Sequence, residues 1–343
     1  MPPSNSRMLT PDFIVDTVMG YRKAKVLMVA ASLELFTHLE RWRSVTELCS
    51  AAAIKVRPAE VMLDALVSMG LLVKSNGRYR NTPLAGRFLV RGRTAYMGDN
   101  LKYQEMIWDA WSDLGGVLKR GRAKRCLERW LLERKGFTKE YLLGMRNIAS
   151  APSRQIASLL NGDSPRAMLD VGAGPGTYSL ALLRKYPGLT ATLLDLPGSG
   201  DIAKRIIGCH HRLARRIKFV AADYKTADLG QEAYDLILLS HITHDEGPAV
   251  NQRLIARSFE ALRPGGKVLI HDFMLDDDRV QPGFAALFSV HMAVYTEAGR
   301  VYTAGEYRDW LVQAGFRKAV FHPICALAKN PSVLAVASKP RLR

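Results

Sequence analysis

The first third of the chain spaces its apolar residues for helices. From residue 12 to 40 they recur at helical intervals through Val26, Met28, Val29, Ala30, Leu33, Leu35, Phe36 and Leu39, which predicts a helical run. The string SVTELCSAAAI follows. Its Ser44-Val45-Thr46-Glu47 start has the capping-box pattern, in which each side chain satisfies the other residue's backbone N–H. In RPAEVMLDALVSMG, Pro58 suits a first helical turn and Gly70 the stop. LLVKSNGRYRNTP reads as a hairpin turning at Asn76-Gly77. Two short helices and a small hairpin make the pattern of a winged helix. Residues 84 to 150 are mainly helical again, and Tyr96, Tyr103, Trp108, Trp111, Phe137, Tyr141 and Met145 read first as core positions there.

From Ala167 the period changes. Short apolar runs alternate with helices: AMLDV, a helix to Tyr186, ATLLDL, a helix across 200 to 214, IKFVAAD, YDLILLS, a helix from about Ala249 to Leu262, and KVLIHDF. Such alternation predicts an α/β fold with a mostly parallel, doubly wound sheet. VYTAGEYRDWLVQAGF reads as a last helix, and FRKAVFHPI with SVLAVAS as an antiparallel hairpin at the sheet edge. The domains implied are a winged-helix unit over residues 1–95, a helical connector over 96–160 that helps form a substrate pocket, and a Rossmann-like domain over 161–343. The last boundary falls at Asn161-Gly162-Asp163-Ser164-Pro165.

Composition narrows the classes. At 343 residues and 48% hydrophobic, the chain can bury two ordinary cores. MPPSNSRMLTPDF lacks an apolar signal region and no stretch approaches a membrane span, so a cytoplasmic protein is expected. Cys49, Cys126, Cys209 and Cys325 are widely spaced and predict free thiols. Cys209-His210-His211 is a poor metal string, because three adjacent ligands cannot easily close on one ion; no metal is expected. The net charge of +17 is partly local. Between Lys119 and Lys139 lie nine basic residues, among them Arg134 and Lys135, against Glu128 and Glu133. With Trp130, Leu131 and Leu132 this stretch reads as an amphipathic helix with a basic face. Its plainest use is solvation; an anionic partner is the alternative.

The candidate chemistry begins where AMLDV runs into Gly172-Ala173-Gly174-Pro175-Gly176, with a helix from about Thr177. Asp170 stands just before the loop. Asp195 ends the next strand, where a ribose hydroxyl is expected. A dinucleotide would want its third glycine where Thr177 stands, and Asp170 would repel a pyrophosphate. The pattern therefore favours S-adenosylmethionine, whose sulfonium and ammonium groups tolerate that charge.

LDVGAGPGTYSLALLRKYPGLTATLLDLP, AADY, SHITHDE, ALRPGGKVLIHDF and GRVYTAGEY, in this order and spacing, resemble the class I small-molecule O-methyltransferases of the plant caffeate and acetylserotonin type and their bacterial relatives. VAASLELFTHLERWRSVTELCSAAAI and LDALVSMGLLVKSNGRYRNTPLAGRFL resemble that family's winged-helix dimerisation domain, which implies a homodimer. The resemblance implies that Gly172, Gly174, Gly176 and Asp170 line the cofactor, that Asp195 with Leu196 binds its ribose, and that Asp223 and Tyr224 flank its adenine. Ser240 and Met145 would lie near its reacting end. Tyr141, Arg146, His291 and Met292 would line the acceptor pocket. His244 matches the general base and Asp272 the acid that orients it; His241 reads as structural. The second acidic partner is missing: Val301 occupies its position.

That gap leaves the methylated atom open. A hydroxyl needs His244 as a base. A thioether has no proton to lose, and some relatives methylate the thioether of a small acid on the route to dimethylsulfoniopropionate. For so anionic a substrate the residues from Lys119 to Lys139, or Arg146, would bind the carboxylate. N- or C-methylation on the same scaffold is a further alternative. A winged-helix DNA-binding regulator fits the charge, but its reading helix would offer only Arg57 against Glu60 and Asp64. A small-molecule acceptor is expected, and no nucleic acid.

Overall fold

The helical spacing of residues 12 to 40 resolves into two helices, α1 (Pro11–Ser32) and α2 (Leu35–His38), because Glu34 takes the left-handed conformation with φ 54°. The computed structural model describes residues 10–133, 135–160, 164–325 and 331–341. They fall into two units, one ending at Ile107 and the other beginning at Trp108.

In the first unit, α1 and α2 lead to β1 (Arg43–Ser44), α3 (Val45–Ala52), α4 (Val56–Ser68), β2 (Leu72–Ser75), β3 (Arg78–Asn81), α5 (Pro83–Phe88) and α6 (Gly98–Met106). The capping box forms: the Glu47 N–H donates to Ser44 Oγ at 3.2 Å and the Ser44 N–H to Glu47 Oε2 at 2.6 Å. The hairpin turns at Asn76 and Gly77, both at positive φ, and the three strands pair in the order β1-β3-β2. This is a winged helix. Its core gathers Leu35, Phe36, Leu39, Leu48, Leu63 and Leu66. The outer face of α1 leaves Phe13, Ile14, Val15, Val18 and Tyr21 exposed.

The second unit opens with α7 (Trp108–Ser112), α8 (Leu114–Arg120), α9 (Leu127–Glu133) and α10 (Lys135–Leu159). The single basic helix expected over 119–139 does not form. Gly121 at φ 73° caps α8, and residues 122–126 are irregular before α9 begins. Glycine takes the left-handed cap without strain, and the charge pattern carries no sign of it. Arg134 lies outside the described residues, as do residues 161–163 of the expected boundary and the side chain of Lys135.

Then the sheet builds through β4 (Ala167–Val171), α11 (Thr177–Lys185), β5 (Thr190–Asp195), α12 (Pro197–Gly208), α13 (His211–Ala214), β6 (Ile217–Ala221), β7 (Tyr234–Ser240), α14 (Pro248–Ala261) and β8 (Leu262–Asp272). It continues with β9 (Met274–Leu275), α15 (Gly283–Tyr295), β10 (Tyr302–Thr303), α16 (Ala304–Gln313), β11 (Arg317–Ile324) and β12 (Ser332–Ser338). The seven strands run β11-β12-β8-β7-β4-β5-β6, with only the β11–β12 hairpin antiparallel to its neighbours. The helix expected over 200–214 breaks at Cys209-His210. Side chains alternate across the sheet: β7 gives Leu236 and Leu238 to one core and Ile237 and Leu239 to the other. Among the described residues, no helix is long and apolar enough to cross a membrane.

Truncating the fully buried Leu238 to alanine removes about three methylene equivalents from the centre of the sheet. It should cost roughly 2–5 kcal/mol, read as a fall in the denaturation midpoint of this unit. A change below about 1 kcal/mol would show that this core can collapse around the gap.

Candidate active site

From β4 the strand order runs outward in both directions, to β5 and β6 on one side and to β7 and β8 on the other. A ligand crevice opens at such a reversal, at the carboxyl ends of the strands. The glycine loop follows β4 and the His244 turn follows β7, so the topology sets them side by side. Gly172 and Gly176 have φ 64° and 71°. A β-carbon on Gly172 would overlap Ile242, and one on Gly176 would come within 2.9 Å of Leu193. The loop is therefore glycine by backbone conformation and by space.

Asp195 faces this loop. Its Oδ2 accepts the Gly174 N–H at 2.6 Å and its Oδ1 the Leu196 N–H at 2.7 Å. The Ser199 side chain adds a third bond, so one of the carboxylate's four lone pairs remains for a ligand hydroxyl. Burial pushes the Asp195 carboxyl up. Asp170 is buried beneath the loop and accepts from Ser179 Oγ at 2.6 Å. Burial, with a smaller push from the charge of Asp195, raises Asp170 to about 7 despite that bond. Asp223 caps its own turn at the Lys225 N–H (2.8 Å), and Tyr224 donates to Glu246 at 2.8 Å. From α10, Leu142 lies over Gly174, and Met145 stands one turn along, half-buried. A cradle of glycine backbone with carboxylates along one side fits a cationic ligand that carries a ribose.

Across the crevice, His244 sits in a 3₁₀ turn, Thr243–Asp245, directly after β7. Its Nδ1 meets Asp272 Oδ1 at 2.5 Å. Asp272 ends β8, fully buried, and accepts three further bonds: from Phe273 N–H (2.8 Å), His244 N–H (3.2 Å) and Thr243 Oγ1 (2.6 Å). Four bonds use all four of its lone pairs. His241 Nδ1 lies 3.5 Å away. The ligand atoms of His241, His244 and Asp272 come within 4.8 Å of one another, held together here by the His244 Nδ1 contact with Asp272. Burial alone would lower the His244 imidazole; the charge of Asp272, then that of Asp245, outweigh it and hold the ring at about 9. Reciprocally, Asp272 stays well below the usual carboxylate range although burial opposes it.

Ser240 and His271 complete the floor. Ser240 Oγ and His271 Nδ1 are 3.1 Å apart, and His271 Nε2 meets Ser332 Oγ at 2.8 Å. Burial, then the charge of His241, holds His271 neutral. The wall is aromatic. Phe288 packs edge-on against His244 at 5.0 Å, and His291 stands 5.3 Å beyond it. Trp111 Nε1 donates to His291 Nδ1 at 3.0 Å, so His291 carries its own hydrogen on Nε2. Burial, then the charge of His244, pushes His291 down to about 4. Met292 is fully buried on the same helix. Tyr141 stacks on Phe137 at 6.1 Å. Arg146 is not brought to this group: it is exposed, and its charge acts on His210.

Val301 is buried among Phe273, Leu275 and Ala285. A second carboxylate nevertheless stands at His244. Asp245 Oδ1 lies 3.6 Å from His244 Nε2, buried and without a hydrogen-bond partner. Burial raises Asp245 to about 6. The sequence reading passed over it. Its only sequence signal is that it follows His244 directly.

Residues 130–317 match the model of the O-methyltransferase domain, and residues 15–91 that of the O-methyltransferase dimerisation domain. Among curated proteins, the chain is 34% identical to 3-hydroxy-5-methyl-1-naphthoate 3-O-methyltransferase of Streptomyces sahachiroi, over 89% of each chain. It is 30% identical to the tetracenomycin polyketide synthesis 8-O-methyl transferase of Streptomyces glaucescens, over 96% of this chain and 97% of that one. Among solved structures, PigF with SAH superposes with a TM-score of 0.86 at 25% identity, over 96% of this chain and all of that one.

Two outcomes follow from the geometry. Gly172→Ala should weaken S-adenosylmethionine binding at least tenfold in calorimetry, since a β-carbon needs both the Ile242 space and a strained φ. The neutral form of His244 grows as pH rises through its folded value, so kcat/KM should climb towards about pH 9. Asp272→Asn removes the largest opposing charge, and the acid limb should then move down towards the ordinary 6.5. A limb that stays in place would separate the pH dependence from this pair.

Proposed function

The chain belongs to the O-methyltransferase family, and on that premise we propose that it methylates the hydroxyl of a small aromatic metabolite with His244 as the base. It is an S-adenosylmethionine-dependent methyltransferase. When bound, the cofactor supplies a methyl group on a positively charged sulfur. The glycine loop lets backbone approach its methionine and ribose, and the remaining lone pair of Asp195 accepts a ribose hydroxyl beside Leu196. Asp223 and Tyr224 flank the adenine, and Asp170, Ser240 and Met145 border the reacting end. The acceptor lies against Phe288, His291, Met292 and Tyr141, where the His291 Nε2–H can donate to a second oxygen.

The His244–Asp272 contact carries the reading. Asp272 fixes Nδ1, which leaves Nε2 to take the acceptor's proton as the oxygen attacks the methyl carbon. A phenolic hydroxyl has a pKa of about 10, so transfer to an ordinary imidazole near 6.5 is uphill by roughly 5 kcal/mol. Transfer to one held at about 9 is uphill by only about 1.4 kcal/mol. The unpartnered Asp245 oxygen faces the same nitrogen and aligns the hydroxyl before transfer, so the carboxylate missing at Val301 is supplied from the other side. A thioether acceptor would leave this apparatus idle. The named relatives act on a hydroxynaphthoate and in polyketide synthesis, which supports an aromatic hydroxyl. The exposed apolar face of α1, within the matched dimerisation region, supports a homodimer. Four free thiols suit the cytoplasm.

His244→Ala should lower kcat by a factor of about 10²–10⁴ on a phenolic acceptor while calorimetry shows unchanged cofactor affinity. Retention of most activity would refute base catalysis and favour a sulfur acceptor. Light scattering should give twice the chain mass; a monomer would reject the dimer.

A further inference from the structure

Between the end of α8 and the start of α9 the chain lines a cavity of about 400 Å³ with Arg120, Arg122, Lys124, Arg125 and Arg129. The single acid on its wall is Glu297. Arg120 pairs with Asp113, and Arg129 with Glu133 at 3.2 Å. Among the described residues, Arg122, Lys124 and Arg125 have no carboxylate within ion-pair distance. Concentrating like charges around a concavity raises its potential and costs stability through self-repulsion. A solvated helix face would spread them out, and here no continuous helix spreads them.

The cavity adjoins the acceptor site through one loop. Its wall includes Thr296 and Glu297, which follow α15. Thr296 Oγ accepts the Gly299 N–H at 3.0 Å, and Gly299 packs so closely on the His244 carbonyl that a β-carbon has no room. The loop that borders the cations is thus seated on the backbone of the base. The helix leading into it carries Phe288, His291 and Tyr295 along the acceptor wall. Trp111, three residues before α8, joins that wall through His291.

We propose that this cavity binds a carboxylate on the methyl acceptor, so that the enzyme selects hydroxylated aromatic acids over their neutral analogues. Guanidinium groups offer paired N–H donors that match a carboxylate, and charge-assisted bonds of this kind are the stronger ones. The placement rests on the hydroxyl reading above, which sets the other end of the acceptor at His244. The rim is open to solvent, so the selection weakens with salt.

The test uses the full chain with S-adenosylhomocysteine present, and 6-hydroxy-2-naphthoic acid, whose hydroxyl and carboxylate lie at opposite ends of the rings, against its methyl ester as probes in calorimetry. The acid should bind at least tenfold more tightly at low salt. In the Arg122→Gln/Arg125→Gln double variant its affinity should fall to the level of the ester, with cofactor affinity unchanged as the check on folding. Raising the salt to 0.3 M should narrow the gap in the wild type alone. Equal binding of acid and ester, a preference that survives in the variant, or binding of neither probe would overturn the proposal. A product assay on the same samples keeps the two readings apart. An acid that binds by charge yet is never methylated would leave the carboxylate site standing and sink the hydroxyl reading.

Discussion

A fully buried carboxylate draws its partners from the protein around it, and Asp272 is where this chain meets that demand. Its four hydrogen bonds come from the next residue and from the turn after the neighbouring strand. Thr243 passes the network on to Tyr307 of α16, hydroxyl to hydroxyl at 2.6 Å. One ionised side chain thus joins the ends of β7 and β8 to a helix packed over them. An unpaired charge at that depth is strongly destabilising, so the geometry around His244 is held by the same requirement that keeps the sheet closed. The raised basicity of the imidazole is a by-product of the constraint: the charge that needs His244 also holds its proton.

The same economy explains Val301. In a pocket walled by Phe273, Phe284 and Phe288, a second acid there would be a second buried charge that lacks the donors Asp272 has. Valine joins the hydrophobic cluster instead. Asp245 lies at the turn, where the neighbouring imidazole offsets only part of the burial that raises its carboxyl. Two carboxylates, Asp272 and Asp245, thus stand at the His244 ring.

Two regions of the second unit differ in their charged residues. Asp170, Asp195 and Asp223 gather around the glycine loop, while five cations ring the cavity between α8 and α9. A cationic methyl donor and an anionic acceptor would each approach the side that attracts it. The formal charge of +17 is thereby partly spent on a place, and need not imply an affinity for polyanions.

Periodicity alone was enough for the alternation from Ala167 onward, because a parallel sheet buries both faces and its central strands carry continuous apolar runs. The winged helix was equally legible from local chemistry: a capping box at Ser44, a stop at Gly70 and a turn at Asn76-Gly77. Spacing failed where a single residue leaves the helical region, at Glu34, at Gly121 and near Cys209. Apolar periodicity continues across such a break, whose sign lies in φ. The glycine loop, Asp195, His244 and Asp272 were all visible in the sequence as residue types at characteristic offsets. What only the tertiary structure decided was which atoms meet: that Asp272 bonds both Thr243 and His244, that Trp111 takes His291 Nδ1, and that Asp245 stands at the His244 ring. Those facts depend on contacts between elements up to 180 residues apart. The order of residues determines which groups are available, and the packing of distant elements determines which of them share an environment.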